Sequence, residues 1–216
     1  MIDGIRLKVC GLTSLVDAEF ADRCGVDYLG FIFYPKSPRH ISLETYRAMT
    51  ARLPERKKVA VTVEPTLTEL TELKAAGFDF FQIHFRHDLP VSTVAGWAET
   101  VGVERLWLAP KLPLAADVPA PLLPLAKFFL LDTFHEEKFG GTGVTGDWAK
   151  FARHQQAHAD RTWILSGGLN PENIGEALRA SAARFVDVNS GVESAPGVKD
   201  REKLKRFVVR LHESRS

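Results

Sequence analysis

Eight short apolar runs recur along the chain, and they constrain the fold more than any other feature. They are "RLKVCG" (6–11), "DYLGFIF" (27–33), "KVAVTV" (58–63), "DFFQIHF" (79–85), "ERLWLA" (104–109), "KFFLLDT" (127–133), "TWILSGG" (162–168) and "RFVDVNSG" (184–191). Each is strand-sized and rich in β-branched or aromatic residues, as strands covered on both faces are. Segments of helical periodicity lie between most of them. In 14–25, Ser14 is placed to cap, Leu15, Ala18 and Ala21 share a face, and Gly25 stops the helix. Residues 66–77 repeat that design between Pro65 and Gly77, and 200–214 closes the chain. In 170–180, Asn170 is expected as cap, with Pro171 at the first helical position.

Strand–helix alternation implies parallel pairing, because a parallel connection needs a crossover. Eight such units in 216 residues point to an α/β protein, a (β/α)8 TIM barrel forming a single domain over 1–216. An open doubly wound sheet built from the same units is the rival that alternation alone leaves standing. The fifth unit is the weakest. Its connection, 110–126, carries prolines at 110, 113, 119, 121 and 124, so its helix is expected to be short, irregular or missing.

Composition removes several function classes. A formal net charge of +1 argues against a nucleic-acid surface or a polybasic membrane surface. Two cysteines, Cys10 and Cys24, make no disulfide framework and fit a reducing, cytoplasmic setting. The first residues lack the apolar run of a signal peptide, and no segment reads as a membrane span. The seven histidines are scattered, without HExxH or paired CxxC, so no metal and no cofactor is expected. "GGTGVTG" lacks the Lys-Ser/Thr of a Walker sequence, and no strand is followed by GxGxxG.

In a barrel of this kind the chemistry sits at the C-terminal ends of the strands. The first strand ends in Cys10, with Lys8 two residues upstream on the same face; an electropositive setting there would lower the thiol's pKa and supply a base or nucleophile. A buried cysteine that merely packs is the plainer reading, and Cys24, on a helix, is read that way. Asp132 ends the sixth strand, where a partly desolvated carboxyl is suited to proton donation and one capping its own loop is not. His84 ends the fourth strand, either as an acid–base group or as a satisfied core histidine. The long loop 133–148 holds Gly140, Gly141 and Gly143, the seventh strand ends in Ser166-Gly167-Gly168, and the eighth ends in Asn189-Ser190-Gly191. Glycines let backbone N–H groups approach an anion, and barrels place phosphate sites after strands 7 and 8.

Taken together, "KVCGLTSLVDA", "GVDYLGFIFYPKSPRHIS", "QIH", "LLDT…GGTGVTGDW", "LSGGLNPENI" and "VDVNSGVESAPGVKD" resemble the phosphoribosylanthranilate isomerase family of tryptophan biosynthesis, over nearly the whole chain. The resemblance implies a (β/α)8 barrel performing an Amadori rearrangement of N-(5-phosphoribosyl)anthranilate to 1-(2-carboxyphenylamino)-1-deoxyribulose 5-phosphate. It implies that Asp132 is the general acid on the furanose ring oxygen and Cys10 the general base at C2. It assigns Arg39 to the anthranilate carboxylate, within a substrate-binding set of Arg39, His84 and Asp187. The phosphate set is Gly141, Thr142, Gly143, Gly167, Gly168, Ser190 and Gly191. Asp187 either orients a sugar hydroxyl or supports the core. The expected partner is this small-molecule substrate, with no nucleic acid and no membrane, and the chain is expected as a monomer or homodimer.

The sequence departs from the family pattern in three places. "QIHFRHD" puts Phe85 and Arg86 where Gln-Leu-His-Gly is usual, "VAVTVEP" replaces Gly-Val-Phe by Ala60, Val61 and Thr62, and Asn189 stands for a usual Ser. Bulk at Phe85 is expected to narrow the anthranilate side of the pocket. A related sugar-phosphate isomerase is one alternative, although the histidine-pathway enzyme has an aspartate where Cys10 stands. A non-catalytic phosphate-binding barrel is the other, and Phe85 is the departure that favours it.

Overall fold

The computed structural model describes residues 1–113, 116–132 and 147–214. Eight parallel strands close into a barrel in chain order: β1 (Arg6–Val9), β2 (Tyr28–Ile32), β3 (Lys57–Val63), β4 (Phe80–Arg86), β5 (Leu106–Lys111), β6 (Phe128–Leu131), β7 (Thr162–Leu165) and β8 (Phe185–Val188). β1 pairs with β8 in the register Leu7↔Val186, Lys8↔Asp187 and Val9↔Val188, which shuts the ring and excludes the open sheet.

The helices alternate with the strands: α1 (Leu15–Arg23), α2 (Leu43–Thr50), α3 (Leu67–Ala75), α4 (Val91–Val101), α5 (Trp148–Ala157), α6 (Ile174–Ser181) and α7 (Arg201–Glu213). Ser14 caps α1 by accepting from the Asp17 N–H. Thr66 caps α3 in a reciprocal box with Glu69. Gly25 and Gly77 follow their helices at φ +80° and +86°, a conformation that Cβ-bearing residues avoid. Between β5 and β6 the described residues form only a 3-10 turn, Ala120–Leu125, with Pro124 inside it. The α6 helix starts later than its proline suggests. Asn170 Oδ1 accepts from the N–H groups of Glu172 and Asn173, which shapes a turn, and the helix proper begins at Ile174.

Strand parity divides the apolar residues into two cores. Odd or even alternates point inward, and the inner core contains Tyr28, Val59, Val61, Trp107, Phe128, Leu130, Ile164 and Phe185. The opposite parity packs outward under the helices, as Leu7, Leu29, Phe81, Ile83, Leu108 and Phe129 do. The N-terminal end of the barrel is plugged by aromatic rings. Trp107 lies 5.3 Å from Tyr28, 5.3 Å from Phe80, 5.2 Å from Phe128 and 5.3 Å from Phe185 between ring centroids. Arg6 closes the plug from below, its guanidinium 4.7 Å from the Phe185 ring. Among the described residues no helix is long and apolar enough to cross a membrane.

A short antiparallel hairpin, β9 (Glu193–Ala195) and β10 (Val198–Lys199), follows β8 and turns at Gly197 with φ +82°. It leans on the first loop of the barrel, where Thr13 Oγ1 donates to the Gly197 carbonyl at 2.6 Å.

Trp107 is fully buried and touches four other rings of the plug. Trp107→Ala is therefore expected to lower unfolding free energy by about 3–5 kcal/mol, read as a fall in the urea midpoint at an unchanged m-value.

Candidate functional site

With the N-terminal end filled, the barrel opens at the other. A cavity of about 730 Å3 lies there, lined by Cys10 of the first strand end, Asp132 of the sixth, Ser166, Gly167 and Gly168 of the seventh, and Asp187, Asn189 and Ser190 of the eighth. Ile32, Tyr34, Ser37, Arg39, Val61, Thr62, Val63, Gln82 and His84 complete the wall. Residues separated by more than a hundred positions meet here because inward parity persists for one residue beyond the β1, β6, β7 and β8 strands.

Cys10 is buried, and its N–H still donates to the Val188 carbonyl at 2.9 Å. Directly beneath it, Lys8 Nζ donates to both carboxylate oxygens of Asp187 at 3.0 Å, with neither side chain exposed by more than 5%. Gly30 makes room for this pair. A Cβ there would sit 2.9 Å from Lys8 Cε, 3.0 Å from Lys8 Nζ and 3.1 Å from Cys10 Cα. Burial disfavours the Lys8 ammonium, but the pull of Asp187 and of Cys10 outweighs it and holds its pKa above the ordinary lysine value. Burial also pushes the Cys10 thiol up, and the Lys8 charge draws it back only partway. The electropositive neighbour read from the sequence is present, yet desolvation is the larger effect on the resting thiol. Asp187 spends both oxygens on Lys8 while its side chain still borders the cavity.

His84 stands on the wall with Gln82. Burial and the Lys8 charge lower its pKa to about 4, so the ring is neutral near pH 7. Gln82 Nε2 lies 2.8 Å from His84 Nε2, so the Gln82 amide holds the neutral ring in place. Gln82 Oε1 has no partner among the described residues.

Arg39 reaches the cavity from the loop after β2, but it is already engaged. Its Nε donates to both oxygens of Glu193, at 2.9 and 3.0 Å, and its Nη2 donates to Oε2 at 2.7 Å. Its shaft crosses Gly11, where a Cβ would sit 2.8 Å from Arg39 Cδ and 2.5 Å from Asn189 Oδ1. Gly11 has φ +69°, so both space and backbone require glycine there.

Of the residues singled out in the sequence, Cys10, Asp132, Arg39, His84, Asp187, Gly167, Gly168 and Ser190 border one cavity. Gly191 does not border it. A Cβ at Gly191 would lie 1.9 Å from the Leu169 carbonyl oxygen, so this glycine lets the loops after β7 and β8 abut. Gly141, Thr142 and Gly143 lie outside the described residues. Phe85 does not narrow the pocket. Gln82 and His84 point inward, so Phe85 points outward by parity, where it is fully buried with its ring 5.6 Å from Trp97 of α4. Arg86 bends away on the rim, its N–H and Nε donating to Glu64. Glu193, Lys199 and Gln82 were not read as site residues from the sequence. The first two lie inside "VDVNSGVESAPGVKD" and carry no spacing signal of their own. Among the described residues no group of His, Cys, Asp or Glu is arranged to hold a metal.

Comparison with known proteins gives one consistent result. The family model for N-(5'phosphoribosyl)anthranilate (PRA) isomerase matches residues 7–210. A relative described as N-(5'-phosphoribosyl)anthranilate isomerase from Aquifex aeolicus is 37% identical over 210 residues, covering 95% of this chain and 98% of its own. One of the same description from Neisseria gonorrhoeae is 34% identical, covering 95% of both. The crystal structure of phosphoribosyl anthranilate isomerase from Thermus thermophilus superposes with a TM-score of 0.80 at 33% identity, covering 97% of this chain and 99% of that one. A structure of such an isomerase in complex with reduced 1-(o-carboxyphenylamino)-1-deoxyribulose 5-phosphate superposes with a TM-score of 0.75 at 31% identity, over 97% and 99% of the two chains.

The neutral His84 gives the protein an acid-side liability. Its folded pKa of about 4 lies below the ordinary 6.5, so between those values the unfolded chain binds the extra proton and stability rises with pH. The contribution is complete above about pH 6.5 and is lost as pH falls towards 4, at most about 3 kcal/mol less the share screened by cavity solvent. His84→Asn is expected to flatten this part of the stability profile, measured by urea unfolding between pH 7 and 4.5. Lys8→Met leaves a buried carboxylate unpaired and is expected to cost about 3–5 kcal/mol. In the fraction that folds, the pH profile of Cys10 alkylation by iodoacetamide moves to higher pH.

Proposed function

The chain belongs to the N-(5'-phosphoribosyl)anthranilate isomerase family, and we propose that Cys10 and Asp132 divide the proton transfers of its reaction between them. The activity is the Amadori rearrangement of N-(5'-phosphoribosyl)anthranilate to 1-(2-carboxyphenylamino)-1-deoxyribulose 5-phosphate in tryptophan biosynthesis. The chemistry needs a proton on the furanose ring oxygen, so that the ring opens to an iminium, and then loss of the C2 proton to give an enolamine. That enolamine tautomerises to the ketone.

Asp132 serves as the acid and must be protonated when substrate is bound. Cys10 serves as the base. Its thiol is held up by burial in the resting barrel, and two positive charges favour the thiolate at the moment of need. One is the Lys8 ammonium behind it; the other is the iminium that ring opening creates in front of it. The substrate carries an anion at each end. Arg39 takes the anthranilate carboxylate, which a guanidinium pairs through two N–H groups. The backbone of Gly167 and Gly168, with Ser190, takes the phosphate on the opposite flank, together with Gly141, Thr142 and Gly143. Gly191 acts indirectly, by letting the two phosphate loops touch. Fixing both ends holds the ribose between thiol and carboxyl, which converts binding energy into orientation. His84, neutral, supports the wall, while Asp187 works through Lys8. The observation that supports this reading best is a single cavity bordered by Cys10, Asp132, Arg39 and the loops after β7 and β8.

The test generates the unstable substrate in situ from anthranilate and phosphoribosyl pyrophosphate with the upstream transferase, then follows the loss of its fluorescence on adding this protein. Rapid loss is expected. Cys10→Ser and Asp132→Asn each lower kcat by roughly 10²–10⁴-fold, whereas Arg39→Ala mainly raises KM. A barrel that only bound phosphate ligands would leave the fluorescence decay at its spontaneous rate. Near-full activity in Cys10→Ser would overturn the base assignment.

A further inference from the structure

Arg39 presents a paradox. It is the cation proposed for a ligand carboxylate, yet an internal carboxylate already grips it through three hydrogen-bond distances of 2.7–3.0 Å. A neutral pair of this kind would have little left to offer a second anion.

The hairpin after β8 resolves it. Glu193 is not the partner of Arg39 alone. Lys199 Nζ, whose side chain is fully buried, donates to Glu193 Oε1 at 2.8 Å and to Asn189 Oδ1 at 2.9 Å. The Gly197 N–H donates to the same Glu193 oxygen at 3.2 Å. One carboxylate therefore serves two cations; burial draws the Lys199 pKa below the ordinary lysine value and Glu193 pulls it back in part, and with Lys199 ionised the three groups together carry a net charge of +1. Burial would raise the Glu193 pKa, but the hydrogen bonds from Arg39 and the charge of Lys199 outweigh it and hold it below the ordinary value, so it is ionised at neutral pH. Among the described charged groups on this wall, Asp132 lies at the end of β6, and the Lys8–Asp187 pair and His84 do not absorb the surplus. Lys8 and Asp187 neutralise each other, and His84 is uncharged near pH 7.

Orientation follows from the same bonds. Glu193 occupies Nε and one hydrogen of Nη2, the side edge of the guanidinium. Nη1 and the outer hydrogen of Nη2 make no bond among the described residues, and they form its end edge. Arg39 lines the cavity with its side chain 12% exposed, against 4% for Glu193. With Gly11 clearing the shaft below and Glu193 clamping one edge, the guanidinium keeps few rotamers to lose on binding.

We propose that Glu193 and Lys199 are positioning residues for carboxylate recognition: Glu193 fixes Arg39 so that its end edge faces the ligand, and Lys199 keeps the clamp from cancelling the charge. The inference rests on the reading of Arg39 as the carboxylate-binding residue and adds the device that makes it work. It also extends the specificity-determining set to a hairpin 154 residues away in the chain from Arg39.

The test measures calorimetric affinity for two probes, reduced 1-(o-carboxyphenylamino)-1-deoxyribulose 5-phosphate and its phenylamino counterpart lacking the carboxyl group. Wild type is expected to prefer the first. Glu193→Gln is expected to weaken the carboxylated probe by about tenfold and the other by less than about twofold, with KM raised and kcat held within about threefold. Lys199→Met leaves the Arg39–Glu193 pair neutral and is expected to erode the same preference. The double variant Glu193→Gln/Lys199→Met strands no buried charge, so it keeps the test available where a single variant does not fold; it is expected to lose the preference because Arg39 is no longer clamped. If Arg39→Ala keeps the preference, the assignment of Arg39 itself is overturned. If Arg39→Ala abolishes it while the folded Glu193 and Lys199 variants retain it, Arg39 stands and the positioning role falls.

Discussion

A lysine with no exposed surface sits at the centre of the barrel, and most of the site follows from what it takes to keep it there. Lys8 is tolerable only because Asp187 stands opposite it in the β1–β8 register and because Gly30 leaves the volume for its last methylene and ammonium. The pair need not add net stability, since desolvation of two ions offsets much of their attraction. What it provides is specificity of closure. A slip of one residue between the first and last strands would separate the ions and turn Cys10 away from the mouth. The residue that carries the thiol and the register that aims it are thus secured by one interaction.

Charge is arranged in tiers above that pair. The floor is neutral, Lys8 against Asp187; one wall is neutral, since burial keeps His84 unprotonated; and one flank is positive, because Glu193 is shared between Arg39 and Lys199. A substrate with an anion at either end and a transient cation between them meets a complementary pattern. In the reading proposed above, the positive flank and the loops after β7 and β8 hold the two ends, and the thiol stands where the cation forms. Burial that raises the resting thiol also strengthens its response to that cation, because the same low-dielectric surroundings magnify both.

Much of this was legible in the sequence, and the limits have physical causes. All eight strands could be read because parallel strands buried on both faces must be continuously apolar. Their C-terminal bounds ran one to three residues long for five of the eight, because the apolar or glycine-rich run continues into the loop after pairing stops. The proline-laden connection after β5 did forfeit its helix. Asn170 misled on the start of α6, since an Asn side chain that accepts from the next backbone N–H groups shapes a turn as readily as a helix cap. Phe85 was placed in the pocket although parity alone, counted from Gln82 and His84, turns it outward. The Glu193–Lys199 network had no local signature. Its partners come from the loop after β2 and from a hairpin near the other end of the chain, and only closure of the barrel brings them together.

The residues that border the cavity hold a regular position relative to the ladders. β1, β6, β7 and β8 end at Val9, Leu131, Leu165 and Val188, and Cys10, Asp132, Ser166 and Asn189 are each the next residue. Each keeps the inward parity of the strand before it, so its direction is inherited from the sheet. Two of them still receive a last ladder bond, Cys10 N–H to the Val188 carbonyl and Ser166 N–H to the Leu131 carbonyl. Among the described residues no further layer of side chains closes the barrel above them. A residue in that position is held as firmly as a strand residue yet faces open volume as a loop residue does, which is the combination that proton transfer at fixed geometry demands. One inward position lower, Lys8, Leu130 and Ile164 face the interior without bordering the cavity, whereas Asp187 borders it with both oxygens spent on Lys8. Apart from Asp187, the division between groups that border the cavity and groups that tune them is thus a single inward position along these strands.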